Sequence, residues 1–287
     1  MELRETREAL PLVRVLGSAE STNAVLRQMV SERASEGGGE DARLPHGTLV
    51  VTGNQTAGRG RQGRGWETPP DTAVAASMLL RLPGGADALP VSWLPLLAGS
   101  AVAAALQPLF RGAAGEPKRV GVKWPNDVHV RDERDAMAGR PGAKLCGILC
   151  EALPGGEVIV GFGMNLLQQD WQLPTERAGS VLACGGETGG AETLADPRGE
   201  ALADRVLAEA TAGLLRLVAL AAEQPEAARR RVLRDSVTLG SEVRVHLPGG
   251  ETVDGRAVGL ADDGSLIVDR PTTGQLVVSA ADVEHLR

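Results

Sequence analysis

Gln55–Trp66 reads QTAGRGRQGRGW and follows a β-branched run, Thr48–Thr52 (TLVVT), that predicts a strand with turn residues at both ends. The last nine residues of the segment hold four glycines and three arginines. Glycine lets a backbone approach a ligand closely, and the planar guanidinium group of arginine suits phosphate and carboxylate groups. The segment therefore predicts a loop that closes over an anionic ligand. Two other interpretations stay open from these residues alone: an exposed basic turn, and an Arg-Gly segment that contacts RNA.

Composition limits the classes of protein to which this loop can belong. The chain has 287 residues, of which 43% are hydrophobic and 23% charged, as is ordinary for a globular protein. Its formal net charge of −7 disfavours a general nucleic-acid binder, which needs a basic face. The N-terminus carries no signal-peptide pattern, so we expect a cytoplasmic protein that does not span a membrane. The scattered cysteines and histidines predict neither a disulfide framework nor a metal site.

Hydrophobic periodicity divides most of the chain into short strands and longer helices. Apolar residues alternate along Ala73–Leu82, which is typical of a strand with one face in a core. Gly199–Arg234 has the helical period instead, and Pro225 predicts a break that divides it into two helices. Further strands are predicted over Val120–Trp124, Lys144–Leu153 and Glu157–Leu166, and a helix over Trp93–Phe110.

The pattern changes after Arg234 to short alternating strands separated by turn residues, Pro248-Gly249-Gly250 and Asp262-Asp263-Gly264. This spacing predicts a small all-β barrel. We therefore expect two domains, residues 1–235 and 236–287. Three Gly- and charge-rich stretches are predicted to be flexible insertions without chemistry: Ser31–Arg43, Arg131–Ala143 and Gly185–Arg198.

Four other short segments could carry chemistry, although each also has a purely structural interpretation. Ser21–Asn23 (STN) fits a helix N-cap, and Lys123–Asp127 (KWPND) fits a turn at a strand end. Lys144–Glu151 (KLCGILCE) sets a lysine at the mouth of an apolar strand whose cysteines are predicted to be small buried side chains. Gly161–Asn165 (GFGMN) combines glycines with an amide that can both donate and accept a hydrogen bond.

These segments, together with Gly58–Trp66 and in this order, resemble the ligand-binding motifs of biotin protein ligases. The similarity runs from about Ser18 to the C-terminus. It implies an α+β fold, with a mixed or antiparallel sheet and helices like the catalytic domain of class II aminoacyl-tRNA synthetases, and a small C-terminal SH3-like β barrel. Because little chain precedes Ser18, we expect the form of the ligase that lacks the N-terminal DNA-binding domain.

The resemblance also implies roles for individual residues. It assigns biotin contacts to Ser21, Thr22, Asn23, Gln55, Gly58, Arg59, Gly60, Arg61 and Lys144. It assigns ATP or adenylate contacts to Arg64, Trp66, Lys123, Asn126, Asp127 and Asn165. Catalysis would depend on Arg59, Arg61 and Lys144, with no metal ligand among the protein's residues. Trp124 matches a motif position near this site.

The activity implied by the resemblance has two half-reactions. The carboxylate of biotin attacks the α-phosphorus of Mg-ATP, which gives biotinyl-5′-AMP and pyrophosphate. A lysine on the biotin carboxyl carrier domain of acetyl-CoA carboxylase, or of a similar enzyme, then takes the biotinyl group and releases AMP. ATP, biotin and Mg²⁺ are the small molecules involved, and DNA and membrane are not expected partners. Both a monomer and a homodimer remain open, and we expect the Gly58–Trp66 loop to be mobile without ligand.

Three alternatives remain open from the sequence. The first is a lipoate ligase or octanoyltransferase, which would share the fold. The second is an RNA-binding module that uses the Arg-Gly run, although the chain has only two Phe and no Tyr for base stacking. The third is a non-catalytic regulator that binds biotin or its adenylate.

Overall fold

The computed structural model describes residues 1–35, 43–66, 68–83, 88–112, 116–247, 250–279 and 281–286. The strands are, in chain order, β1 (Val13–Leu16), β2 (Leu49–Thr52), β3 (Gly58–Arg59), β4 (Gly65–Trp66), β5 (Ala73–Arg81), β6 (Arg119–Lys123), β7 (Asp127–Arg131), β8 (Ala143–Ala152), β9 (Glu157–Asn165), β10 (Glu242–His246), β11 (Thr252–Leu260), β12 (Leu266–Arg270), β13 (Gly274–Val278) and β14 (Asp282–His285). The helices are α1 (Arg4–Ala9), α2 (Thr22–Ser35), α3 (Leu94–Leu106), α4 (Glu133–Met137), α5 (Pro197–Glu223) and α6 (Pro225–Asp235).

A seven-stranded sheet forms the larger part of the protein, in the order β1-β2-β5-β9-β8-β7-β6. β1 and β2 run parallel and the other neighbours are antiparallel, so the sheet is mixed, as expected. The predicted strands and helices outside the barrel all form, each within a few residues of its expected bounds. The shape of this α+β sheet and its helices is therefore the one that the sequence predicted.

The two faces of the sheet are covered by different helices. Met78 and Val160 belong to the large core that contains α3 and α5, whereas the adjacent Leu79 and Ile159 pack with Leu26 of α2 on the other face. This follows from the two-residue period of a strand, which sends neighbouring side chains to opposite faces. On this face α2 packs on β2, β5 and β9. The part of the face that includes Gly147 and Gly163 is not covered by α2 and borders a cleft.

Helix α3 lies inside the core. Val91–Phe110 is the described segment that is long and apolar enough to cross a membrane, but 78% of its apolar window is buried inside the protein. A helix that packs against a sheet on one side and a second helix on the other is expected to be apolar all round, as this one is. We interpret this segment as a core helix.

The C-terminal part is a five-stranded antiparallel sheet, in the order β13-β12-β11-β10-β14, which is the predicted small SH3-like barrel. It is joined to the larger sheet by buried tryptophans. The indole N–H of Trp124 donates to the carbonyl of Gly264 at 3.0 Å, and that of Trp93 donates to the carbonyl of Asp262 at 2.8 Å. Trp124 therefore belongs to this contact between the sheets and does not line the site described below.

The structure shows more order in several predicted loops than their composition suggested. The segment predicted to close over a ligand is a hairpin in which Gly58 pairs with Trp66 and Arg59 with Gly65, and its mobility without ligand stays a prediction. Ser31–Ser35 belongs to α2, while residues 36–42 of the same predicted insertion lie outside the described residues, as do 248–249 of the first predicted turn.

The other two predicted insertions are also partly ordered by packing. Residues 131–143 contain α4, whose N-cap Asp132 accepts a hydrogen bond from the backbone N–H of Asp135 at 2.8 Å. In residues 185–198, Ala191 and Leu194 are buried in the core. Composition alone did not reveal these contacts, because a few apolar side chains suffice to anchor a Gly-rich segment.

Candidate functional site

A cleft of about 1220 Å³ lies on the face of the large sheet that α2 leaves uncovered. The Gly58–Trp66 hairpin, here called the arginine hairpin, borders one side of the cleft, and β14 of the small sheet borders another. The residues 140–143 and 174–178 complete the rim. This volume is slightly above the usual range of about 300–1,000 Å³ for small-molecule sites.

One end of the cleft is closed by a network of polar groups at the start of α2. The side-chain oxygen of Gln55 accepts hydrogen bonds from the backbone N–H of Thr22 at 2.9 Å and from its hydroxyl at 3.2 Å. The hydroxyl of Ser77 lies 2.7 Å from the Thr22 hydroxyl and 2.6 Å from Asn23 Oδ1. Asn23 Nδ2 donates to the carboxylate of Glu151 at 2.8 Å. These contacts hold donors and acceptors in fixed directions at this end.

The floor of the cleft is made of glycines on which Trp66 lies. A Cβ atom added to Gly163 would stand 2.5 Å from Trp66 Cε2, and one added to Gly147 would stand 3.2 Å from Trp66 Cζ3. A Cβ on Gly161 would meet the side chain of Asn23 in the same way. The glycines are therefore needed for the close approach of these side chains. The Trp66 ring gives this part of the cleft, here called the slot, an aromatic wall.

The resemblance implies that this slot holds biotin. Gly163→Ala is then expected to displace the Trp66 ring and weaken biotin binding by about 10-fold or more, because overpacking at a rigid contact costs about 1–3 kcal/mol. Gly17→Ala is the matched control, since a Cβ there meets nothing within 4 Å. Titration of each variant with biotin measures the effect. Equal affinities of the two variants would contradict the proposed slot.

The centre of the cleft holds a compact group of charges. Lys144 Nζ lies 2.7 Å from Asp127 Oδ1 and 5.6 Å from the centre of the Trp66 ring. Burial by itself raises the pKa of Asp127, but the side chain of His129 and the ammonium groups of Lys144 and Lys123 outweigh it and hold this pKa well below its usual range. Asp127 is thus a carboxylate at neutral pH and gives Lys144 a permanent partner.

The arginine hairpin adds further cationic groups above this centre. Gly58 permits the tight pairing, because a Cβ there would meet the Trp66 carbonyl and the Gln55 amide. Arg61 Nη1 donates to Asn126 Oδ1 at 3.3 Å, and Arg64 forms an ion pair with Asp282 of β14. Burial lowers the pKa of Arg61, but a guanidinium group stays charged at neutral pH.

The wall contributed by β14 was not predicted from the sequence. Lys123 Nζ donates to the carbonyl of Val283 at 2.8 Å, and Arg177 pairs with Glu284 at 3.0 Å. His285 Nδ1 lies 3.1 Å from the carbonyl of Gly139. The cleft is therefore shared between the two sheets, although the predicted site residues all come from the part of the chain before the small sheet.

His285 is expected to make the folded state less stable in acid. Burial, followed by the charge of Lys123, lowers its pKa from 6.5 to about 4. Because the unfolded state then takes the proton first, the stability is fully present above pH 6.5 and is lost as the pH falls from 6.5 towards 4. The melting temperature of His285→Gln should therefore fall less between pH 8 and pH 4.5 than that of the unchanged protein. Thermal melts at these two pH values measure the difference. Identical pH profiles of the two proteins would contradict this.

Asn165 lies at the far end of β9. Its Nδ2 donates to the carbonyl of Gly179 at 2.8 Å, and its Oδ1 accepts from Gln168 Nε2 at 3.0 Å. Both polar atoms of Asn165 therefore already have protein partners.

The structure brings nearly all predicted site residues to this one cleft. Gly58 is the exception, since it does not line the cleft but permits the tight pairing of the arginine hairpin. The predicted site residues that line the cleft are Ser21, Thr22, Asn23, Gln55, Arg59, Gly60, Arg61, Arg64, Trp66, Lys123, Asn126, Asp127, Lys144 and Asn165.

The sequence analysis missed Ser77, Glu151 and Gln168. Ser77 could have been found, because it is the one polar residue in the run from Ala73 to Leu80. Within the described ranges, no group of three or more His, Cys, Asp or Glu side chains could hold a metal ion. The thiols are not candidates for nucleophiles either, because burial raises the pKa of Cys150 to about 12 and also raises that of Cys146.

Comparisons with known proteins support the fold and the family. Residues 27–166 match the Biotin/lipoate A/B protein ligase family, and residues 238–286 match the biotin protein ligase C terminal domain. The chain is 36% identical over 277 residues to the biotin--[acetyl-CoA-carboxylase] ligase of Mycobacterium tuberculosis, covering 95% of this chain and 88% of that protein. It is 29% identical over 253 residues to the bifunctional ligase/repressor BirA of Bacillus subtilis, covering 84% and 66% respectively.

A solved structure has the same fold. The biotin protein ligase from Aquifex aeolicus in complex with biotin and ATP superposes with a TM-score of 0.68 at 23% identity, covering 96% of this chain and 100% of that one.

Proposed function

Because this chain belongs to the biotin protein ligase family, we propose that it joins biotin to a lysine of a carrier protein at the expense of ATP. One observation carries the proposal. The cleft sets a polar-ended slot, closed by Thr22, Asn23 and Ser77, directly beside the cationic centre at Lys144. A small, flat ligand with polar atoms at one end and a carboxylate at the other fits this order of groups.

In the first half-reaction two anions must meet. A carboxylate oxygen of biotin attacks the α-phosphorus of ATP, the bond to the bridging oxygen breaks, and pyrophosphate leaves. Lys144 and Arg61 supply the positive charge that offsets the repulsion between carboxylate and phosphate and that stabilises the developing charge. Mg²⁺ enters with ATP as part of the substrate, held by phosphate oxygens as is usual for this ion.

In the second half-reaction the amine of a carrier lysine attacks the acyl carbon of biotinyl-5′-AMP. The bond to the phosphate oxygen breaks, AMP leaves, and the amine loses a proton. No enzyme nucleophile is needed, which agrees with thiols whose pKa burial has raised. The mixed anhydride must be kept from water, a task suited to the arginine hairpin with its ion pair to Asp282.

The residue roles form part of this proposal. We assign the biotin end to Ser21, Thr22, Asn23, Gln55 and Gly60, with Gly58 shaping the arginine hairpin beside it. Arg59, Arg61 and Lys144 contact biotin at the reacting centre, and Arg64, Trp66, Lys123, Asn126, Asp127 and Asn165 form the adenylate end. The same proposal includes two domains, residues 1–235 and 236–287, and a cytoplasmic location. Its partner is the biotin carboxyl carrier domain of acetyl-CoA carboxylase, and DNA is not among its partners. Both a monomer and a homodimer are consistent with it.

Pyrophosphate release with Mg-ATP tests the first half-reaction. Biotin, lipoate and octanoate are compared as the acid, and we expect release with biotin alone. Release with lipoate or octanoate instead would favour the alternative of a lipoate ligase or octanoyltransferase. Binding of biotin without release would favour a regulator.

Transfer tests the second half-reaction. A biotin carboxyl carrier domain is incubated with the protein, biotin and Mg-ATP, and the mass of the domain is measured. A gain of one biotinyl group is expected, and a carrier domain whose acceptor lysine is replaced by arginine should gain none. Equal labelling of both domains would contradict specific transfer.

A further inference from the structure

Two apolar side chains stand far out of the surface just before the rim segments 140–143 and 174–178. Trp171 is 81% exposed and Met137 is 77% exposed, the highest values among the large apolar side chains of the described residues. The other three tryptophans lie in the cleft or in the contact between the two sheets. Single exposed apolar residues are common on protein surfaces, but an exposed tryptophan is a frequent anchor of protein interfaces.

Both rim segments meet at the lysine of the reacting centre. Residues 140–143 lead directly into Lys144, whose backbone N–H donates to the carbonyl of Arg177 at 2.8 Å. Trp171 precedes Arg177 by six residues, and Met137 precedes Lys144 by seven. The two exposed side chains therefore flank the segments of chain that frame Lys144.

The turns that carry the two side chains also lie on the same side of the protein. Burial raises the pKa of the Cys184 thiol, and the carboxylates of Asp170 and Asp135 raise it further because both lie near this sulfur. Asp170 directly precedes Trp171, and Asp135 lies on α4 two residues before Met137. Trp171 and Met137 therefore belong to neighbouring turns beside the cleft.

Hydrogen bonds hold the turn that carries Trp171. Gln169 and Gln172 cap it reciprocally, with the backbone N–H of Gln169 donating to Gln172 Oε1 at 2.9 Å. Just before the turn, the carbonyl of Gln168 accepts from the Ser180 hydroxyl at 2.6 Å. An aromatic ring on a fixed turn loses little conformational freedom when a partner covers it. Trp171 is therefore preorganised to contact a partner.

The second half-reaction brings a protein partner to this rim. A lysine side chain is short compared with the domain that carries it, so the carrier must sit on the rim for its lysine to reach the acyl carbon beside Lys144. A stable interface covers about 800 Å² of each partner, a patch about 30 Å across. Six residues of chain span at most about 20 Å, and the helical turn at Trp171 shortens this span, so the ring lies within reach of such a patch.

We propose that Trp171, assisted by Met137, docks the carrier domain by packing against apolar surface beside its acceptor lysine. The inference rests on the proposed function, because it needs a carrier that receives the biotinyl group at this cleft. Covering the ring removes apolar area from water, which favours association. Trp171 should therefore act on transfer to the carrier, and not on adenylate formation, which needs no protein partner.

Trp171→Ser tests the inference in two assays. In transfer to a biotin carboxyl carrier domain, kcat/KM for the carrier should fall by about 10-fold or more, and the addition of Met137→Ser should lower it further. Hydroxylamine serves as the second acceptor, because its nitrogen attacks the acyl carbon, loses a proton and releases AMP without contacting the rim. Transfer to hydroxylamine and KM for ATP should both stay unchanged.

Two further variants complete the test. Trp171→Phe should retain most of the rate with the carrier, because it keeps an aromatic ring at this position. Val277→Ser is the matched control, since Val277 is 57% exposed on β13 and does not line the cleft. It should transfer biotin to the carrier as the unchanged protein does.

Other outcomes overturn the inference in distinguishable ways. Equal kcat/KM for the carrier in Trp171→Ser and Val277→Ser would remove Trp171 from the docking surface. A rise in KM for ATP, or slower transfer to hydroxylamine, would place the ring over the small-molecule ligands instead. Dissociation of a dimer in Trp171→Ser, measured by light scattering, would assign the ring to contact with a second copy of the chain. The proposed function fails separately, if the unchanged protein releases no pyrophosphate with biotin and ATP.

Discussion

Lys144→Met is expected to lower biotin-dependent pyrophosphate release by about 10²–10³-fold, the effect typical of removing one preorganised group that stabilises developing charge. Methionine keeps the length of the side chain over Trp66 but removes the ammonium group that lies 2.7 Å from Asp127. The loss should appear in kcat more than in the affinity for biotin, because charge on the reacting atoms is greatest in the transition state. Single-turnover measurement of biotinyl-adenylate formation reports this step directly.

Two further variants separate chemistry from stability. Lys144→Met alone leaves the buried carboxylate of Asp127 with weaker compensation, so its melting temperature should fall. The double variant Lys144→Met, Asp127→Asn should recover stability without recovering activity. Lys118→Met, whose ammonium group donates to the carbonyl of Cys184 outside the cleft, serves as the matched control. Normal adenylate formation in Lys144→Met, together with a large drop in melting temperature, would make Lys144 a structural residue.

Arg61→Ala is expected to weaken retention of biotinyl-adenylate by about 10- to 150-fold, which corresponds to the roughly 1.5–3 kcal/mol of a hydrogen bond to a charged group. Arg61 is the arginine of the hairpin that reaches the KWPND segment, through Asn126, and it lies close enough to Asp127 to feel its charge. Arg64, in contrast, is turned to Asp282 on β14. Removing Arg61 should therefore weaken the binding of ligands that carry the phosphate, and should change the affinity for biotin alone very little.

Equilibrium binding of a non-reactive biotinyl-adenylate analogue measures this effect, with biotin as the comparison ligand. Arg256→Ala is the control, since Arg256 lies exposed on the small sheet away from the cleft. Unchanged affinity of a folded Arg61→Ala protein for the analogue would remove Arg61 from the proposed site. A loss that is equal for biotin and for the analogue would place it at the biotin end instead.

The sequence by itself determined the elements and the segments that meet at the cleft. The alternation in residues 73–82 and the helical period in 199–234 depend only on neighbours along the chain, so β5, α5 and α6 could be predicted closely. The motifs at Ser21, Lys123, Lys144 and Gly161 could be recognised as one set because they occur in the same order as in biotin protein ligases.

The tertiary structure alone decided which side chains face each other. Three features of the cleft join residues that are remote in sequence or that lie in turns. They are the network of Thr22, Asn23 and Ser77, the wall formed by β14, and the paired amides of Asn165 and Gln168. No periodicity encodes such pairs, because a hydrogen-bond partner is chosen by the position of strands in space. For the same reason the insertion at 131–143 was expected to be a flexible surface segment, whereas packing brings its carbonyls at Gly139 and Gly142 against His285 and His129 at the edge of the cleft.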